Sequence, residues 1–330
     1  MTAYDLPLRL KRLRQTKAAR ALIRETRLHT DQFIAPLFIS EMITDKQEIK
    51  SMPGQFQLSI NCLAREIEEL SNLGIKAVLL FGIPAHKDAT GSAALEDTGI
   101  IQQSIQVIRK INPEMLIITD LCFCEYTSHG HCGVLKGTQI DNDKTLDLLA
   151  RQAVSHAKAG ADWVAPSGMT DGMVTAIRQG LDKAGFFDTA ILSYAVKYCS
   201  SLYGPFREAT LGAPQFGDRK CYQMDPANSN EALREAELDI QEGADLIMVK
   251  PAINYLDIIY KLKQNFPEVP LCAYQVSGEY SMLKYAAAAG LFNEQQAMKE
   301  SLLAIKRAGA DFIISYFAKD IARLLNEGEI

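Results

Sequence analysis

"EGADLIMVK" (Glu242–Lys250) sets the fold of this chain. Gly243 suits the left-handed position just past a helix end, where a Cβ would clash. The apolar run Leu246–Val249 has no polar alternation, as expected of a strand buried on both faces. Lys250 then ends the run with a charge. The same string recurs as "AGADWVAPS" (159–167) and "AGADFIISY" (308–316), with "LGIKAVLLFG" (73–82) as a looser copy. Each copy closes a helical stretch and opens a strand, so one supersecondary unit is being repeated.

Working outward, eight apolar runs are strand candidates: Phe33–Ile39, Ala77–Phe81, Met115–Leu121, Trp163–Ala165, Ala190–Ala195, Leu246–Val249, Leu271–Val276 and Phe312–Tyr316. Helical periodicity separates most of them, as in Leu63–Leu73 and Leu233–Glu242. Alternating β and α elements imply a parallel sheet, and eight strands in one chain of this length suit a single (β/α)8 TIM barrel over residues 31–330. A doubly wound open sheet is the alternative. Its dinucleotide-binding form is weakened because no G-x-G-x-x-G follows the first strand.

The 330 residues are 48% hydrophobic and 23% charged, with a net charge of −5, an ordinary globular composition that gives no sign of nucleic-acid binding. No apolar run approaches the roughly 18 residues of a membrane span. No secretory h-region is seen and the seven cysteines are sparse, so reduced thiols in a cytoplasm are expected. Residues 1–30 stand apart as an N-terminal arm. Eight basic side chains against Asp5 and Glu25 give it about +6 and leave the remainder about −11. A basic arm of this kind can pack on an acidic neighbouring subunit or remain a solvated tail.

On a barrel, chemistry gathers where strands end. The third run is followed by "DLCFCEYTSHGHCG" (Asp120–Gly133), with Cys122, Cys124, Cys132, His129 and His131. Ser167, Lys197, Lys250 and Ser277 follow or end the next four runs, and Tyr316 ends the last. Neighbouring strands lie roughly 5 Å apart, so Lys197 and Lys250 can share a cavity. Apolar surroundings and a like charge both lower a lysine pKa, and a neutral lysine amine can form a Schiff base with a ketone. For a single lysine, a snorkelling side chain with its head in solvent would be the simpler account. The Gly/Pro-rich loop "YGPFREATLGAPQFGDRK" (203–220) carries Arg207 and Arg219, whose planar donor forks suit a carboxylate, and could close over a bound molecule.

These motifs resemble the 5-aminolevulinate dehydratase (porphobilinogen synthase) family. The resemblance is carried by "CEYTSHGHCG", "APSGMTDG", "SYAVKY", "YGPFREA", "GDRKCYQMD", "REAELDIQEGAD", "LIMVKPA" and "AYQVSGEY", in that order over nearly the whole chain. It implies a lyase that condenses two molecules of 5-aminolevulinate to porphobilinogen with loss of two waters, in tetrapyrrole (haem) biosynthesis. Lys250 would hold the substrate that becomes the propionate side, and Lys197 the acetate-side substrate. Arg207 and Arg219 would bind the second substrate's carboxylate, and Ser277 and Tyr316 the first's. Cys122, Cys124 and Cys132 would hold an active-site Zn²⁺. Their C-x-C-x₇-C spacing is not that of a standard finger, and water or substrate ranks above His129 or His131 as fourth ligand. Glu235 matches a carboxylate at which some relatives bind an activating Mg²⁺; an exposed helical glutamate is the alternative. The resemblance also implies a homo-octamer in which each arm embraces a neighbouring barrel. Gly168 departs from the pattern, since many relatives carry Asp there; Ser167 beside it is retained, and Asp120 and Asp171 fall near the site. Two other readings compete: a structural zinc protein, which leaves both lysines idle, and a class I aldolase, which needs no trithiolate metal.

Overall fold

A computed structural model describes residues 6–328. Eight parallel strands close into a barrel: β1 (Phe33–Ser40), β2 (Ala77–Ile83), β3 (Leu116–Leu121), β4 (Trp163–Pro166), β5 (Ala190–Lys197), β6 (Leu246–Lys250), β7 (Leu271–Gln275) and β8 (Phe312–Ser315). Each pairs with its neighbour in chain order, and β8 returns to β1 through Phe33↔Ile313 and Ile34↔Ile314. All eight expected strands are present, with ends shifted by a residue or two. Lys197 is the last residue of β5 rather than just past it. Helices cover the outside, among them Ile60–Asn72 and Glu231–Gln241 at the two stretches whose periodicity is helical.

The repeated Gly-Ala-Asp does more than end a helix. Gly160, Gly243 and Gly309 have φ of 109°, 106° and 123°, the left-handed region glycine tolerates. The aspartate that follows clasps the preceding strand twice. Asp245 donates its N–H to Ile191 O (3.1 Å), and its carboxylate accepts the N–H of the same residue (2.8 Å). Asp162 does this to Ile117, and Asp311 to Leu271. The start of a strand therefore arrives already pinned to its neighbour at the N-terminal rim.

Four short strands lie outside the barrel and carry no sequence period to reveal them. Lys46–Glu48 and Phe56–Leu58 pair antiparallel after β1, and Leu135–Lys136 and Gln139–Ile140 form a small hairpin after β3. The described part of the arm forms a 3₁₀ turn, Leu10–Arg14, and a short helix, Lys17–Leu22, with no buried residue in either. Leu6, Leu8, Leu10, Leu13 and Leu22 are left in solvent, with Leu8 75% and Leu22 84% exposed, whereas Leu28 is buried against the barrel core. Residues 1–5 of the arm, Asp5 included, and the last two residues of the chain lie outside the described residues.

Candidate active site

The C-terminal rim gathers most of the expected polar groups into one narrow, nearly filled chamber. Asp120, Cys124, Glu125, Ser167, Lys197, Arg207, Arg219 and Lys250 line it together with Phe81, Tyr203 and Phe206. Lys197 and Lys250 are register partners on β5 and β6. Both are buried, at 5% exposure each.

The two lysines are held differently. Lys197 Nζ donates to the carbonyl of Ser167 at the end of β4. Lys250 Nζ makes no hydrogen bond among the described residues and is surrounded by ring faces instead. The centroids of Tyr274, Tyr194, Phe206 and Tyr203 lie 4.3, 5.0, 5.1 and 5.4 Å away. Burial, followed by the nearby Lys197 charge, pushes the Lys250 pKa down to about 7, against the opposing pull of Asp120, Glu125 and Cys124. The ring faces favour the cation, yet they cannot replace the water the ammonium has lost. Asp120 is pushed the other way, up to about 7, by burial and then by Glu125. Its Oδ2 accepts from Ser167 Oγ at 3.1 Å, while Oδ1 is buried without a partner.

The cysteines meet beside the lysines. The sulfurs of Cys122, Cys124 and Cys132 lie within 4.8 Å of one another, and all three residues are buried. Hydrogen bonding within the trio holds Cys124 protonated and pulls Cys132 well below the ordinary thiol range. Three buried soft donors at this spacing fit one metal ion, and the adjacent Arg219 and Lys197 charges offset excess thiolate charge. The histidines point elsewhere. His129 Nε2 lies 3.2 Å from Ala89 O, and His131 lies between Tyr222 Oη (3.3 Å) and Phe216 O (3.1 Å).

The loop 203–220 roofs the chamber. Arg219 Nη2 donates to Gly130 O and Gly212 O, both at 2.8 Å, tying the roof to the cysteine loop. Arg207 Nε is buried without a partner. Ser277, the first residue of the helix Ser277–Ala288, accepts from Phe206 N at 3.0 Å. Tyr316 Oη lies 3.0 Å from Tyr274 Oη, one ring away from the Lys250 amine. Glu235 stands apart on Glu231–Gln241, in a cleft with Asp171 and Glu231, whose charges add to burial in raising its pKa. It belongs to neither of the two tight ligand clusters among the described residues.

Three contributors were missed in the sequence. The aromatic cage of Lys250 comes from three separate segments, β5, the roof and β7, so no local pattern announces it. Glu125, 2% exposed and 3.2 Å from Cys124 Sγ, stood unremarked inside the quoted cysteine stretch. Lys87, from the loop after β2, holds the roof by donating to Leu211 O at 2.7 Å.

A closed parallel barrel whose C-terminal rim encloses paired lysines, a thiol trio and a two-arginine roof defines an enzyme of the (β/α)8 class. Residues 7–324 match the family model for delta-aminolevulinic acid dehydratase. The curated delta-aminolevulinic acid dehydratases of Halalkalibacterium halodurans and Bacillus subtilis are 56% and 53% identical over 319 residues; each alignment covers 97% of this chain, and 97% and 98% of the relative. Among solved structures, the delta-aminolevulinic acid dehydratase (porphobilinogen synthase) of Toxoplasma gondii, in complex with its reaction product porphobilinogen, superposes with a TM-score of 0.95 at 41% identity, covering 98% of this chain and 93% of that one. The chain belongs to the delta-aminolevulinic acid dehydratase family, and it is a hydro-lyase.

Proposed function

We propose that this chamber condenses two molecules of 5-aminolevulinate to porphobilinogen with loss of two waters, using Lys250 and Lys197 as imine-forming amines. The observation that carries this reading is the enclosed register pair, with the Lys250 pKa brought down to about 7. A neutral lysine amine adds to the substrate's ketone, and the carbinolamine expels water to leave the imine. Lys250 takes the propionate-side substrate, with Ser277 and Tyr316 receiving its carboxylate. Lys197 takes the acetate-side substrate, with Arg207 and Arg219 as its carboxylate fork. The chamber as it stands is too full for two substrates, so the 203–220 roof opens to admit them.

Cys122, Cys124 and Cys132 are the residues that would hold Zn²⁺. Bound there, zinc would supply a positive centre suited to holding the second substrate's amine or polarising its oxygen. Glu235 is the proposed seat of an activating Mg²⁺, a hard cation that keeps most of its waters and needs few protein oxygens. The arm, with its exposed leucines and basic charge, is proposed to wrap a neighbouring barrel in a homo-octamer. Among the described residues no helix is long and apolar enough to cross a membrane, and the proposed setting is the cytoplasm.

The test is incubation with 5-aminolevulinate, colorimetric detection of pyrrole, and borohydride trapping with mass mapping of the modified lysines. Pyrrole formation with adducts on Lys250 and Lys197 is expected. Absence of pyrrole, or trapping at other lysines alone, would refute the assignment.

A further inference from the structure

The turn "VSGE" (Val276–Glu279) opens the helix Ser277–Ala288, and its last three residues each reach a neighbouring part of the rim. Ser277 Oγ takes the roof's Phe206 N–H. Gly278 lies so close to the root of the roof that a Cβ there would sit 2.5 Å from Leu202 O. Glu279 is fully buried.

Glu279 makes more contacts than a helix cap needs. Its Oε2 accepts from Val276 N at 2.6 Å, which is the ordinary half of a capping box. Its Oε1 reaches the neighbouring strand end and accepts from Ala252 N at 3.1 Å and Ile253 N at 2.5 Å. Ala252 lies two residues past Lys250. Burial raises the Glu279 pKa to about 7 even against the downward pull of the surrounding backbone N–H groups. A carboxylate withdrawn from water this completely is tolerated because those donors replace its hydration.

The other flank of Lys250 is held from β5 and the roof. Its carbonyl accepts from Tyr198 N at 2.9 Å and Tyr203 Oη at 3.2 Å. Its amine makes no hydrogen bond among the described residues, so the aim of Nζ depends on where the backbone holds Cα and on the rings around it. We propose that Glu279 is a positioning residue that locks the Lys250 strand end and the Ser277 helix start into one unit, presetting the amine and the carboxylate-receiving hydroxyl for the same substrate. This rests on Lys250 being an imine-forming lysine.

The experiment compares Glu279→Gln and Glu279→Asp with the unchanged protein by borohydride trapping of 5-aminolevulinate, mapped by residue. Gln turns an amide N–H₂ toward backbone donors, and Asp is one methylene too short to span both segments. In folded variants, trapping at Lys250 is expected to slow by at least about tenfold and kcat to fall in step, because a misaimed reactant loses rate steeply. The Co²⁺ absorption of the cysteine trio should be unaltered. Trapping at the unchanged rate in either folded variant overturns the proposal. So does failure of both to fold, which would make Glu279 a folding element. No adduct on Lys250 in the unchanged protein would instead strike at the imine assignment itself.

Discussion

Lys197 and Lys250 are register partners on adjacent parallel strands, and their side chains share one narrow chamber while, among the described residues, only Lys197 has a hydrogen-bond acceptor for its amine. The pairing presents two amines to two substrates. Lys250→Ala is expected to abolish pyrrole formation, because no amine remains to form the imine. Arginine should not rescue it, since guanidinium stays protonated. Lys197→Ala should be severely impaired while Lys250 still traps the first substrate. Near-normal pyrrole formation by Lys250→Ala would contradict the covalent mechanism.

The lowered Lys250 pKa has two pH consequences. The trapping rate at Lys250 should rise as pH climbs through about 7 and then level off, as the ammonium gives up its proton. For stability, the folded pKa lies below the unfolded value of about 10.4, so the folded chain binds fewer protons between the two. The contribution is fully present above the unfolded value and is lost as pH falls toward 7. At neutral pH the buried lysine therefore costs stability. Lys250→Met, similar in shape and uncharged, should raise Tm at pH 7 while eliminating turnover; an unchanged or lower Tm would count against this account.

Removing either roof arginine should chiefly raise the concentration of 5-aminolevulinate needed for saturation. Loss of a charge-assisted contact is on the order of 1.5–3 kcal/mol, or about 10- to 150-fold in binding. Arg219→Ala should be the more damaging of the two, because Gly130 O and Gly212 O lose their shared donor as well. Unchanged saturation curves for both variants would remove them from the substrate site.

Chelation should remove activity, added Zn²⁺ should restore it, and far-ultraviolet circular dichroism should barely change, since the barrel closes through its own strand ladder. Pb²⁺ should compete well for three thiolates. Full activity in a verified metal-free Cys124→Ala protein would exclude a catalytic metal, whereas unfolding on chelation would point to a structural one.

Deletion of residues 1–30 should lower the assembly state and leave the barrel folded, because Leu10–Arg14 and Lys17–Leu22 bury no residue and Leu28 alone of the arm's leucines joins the core. Sedimentation of the truncated protein decides this, and a full-size assembly would reduce the arm to a tail.

The eight barrel strands were legible because each is a run of apolar residues long enough to stand out, and the glycines mark where the helices stop. The strand ends then pointed to Lys197, Lys250 and the cysteines. Glu279 was visible only as a letter in a motif, because its partners Ala252 and Ile253 lie more than twenty residues away and meet it only when β6 and β7 stand side by side. The ring cage around Lys250 was hidden for the same reason. The two-residue strands Leu135–Lys136 and Gln139–Ile140 are too short to carry any period.

The aspartate clasps fall in a telling order. They join β3 to β4, β5 to β6 and β7 to β8, while the looser copy ahead of β2 has Lys76 where the others have aspartate. Three quarter-barrels are thus stapled strand pairs, and at the N-terminal rim the joints between them carry no aspartate clasp. Those joints are the natural seams of the molecule. Lys197 ends one strand of a stapled pair and Lys250 the other, so breathing along the seams would leave the spacing of the two amines undisturbed.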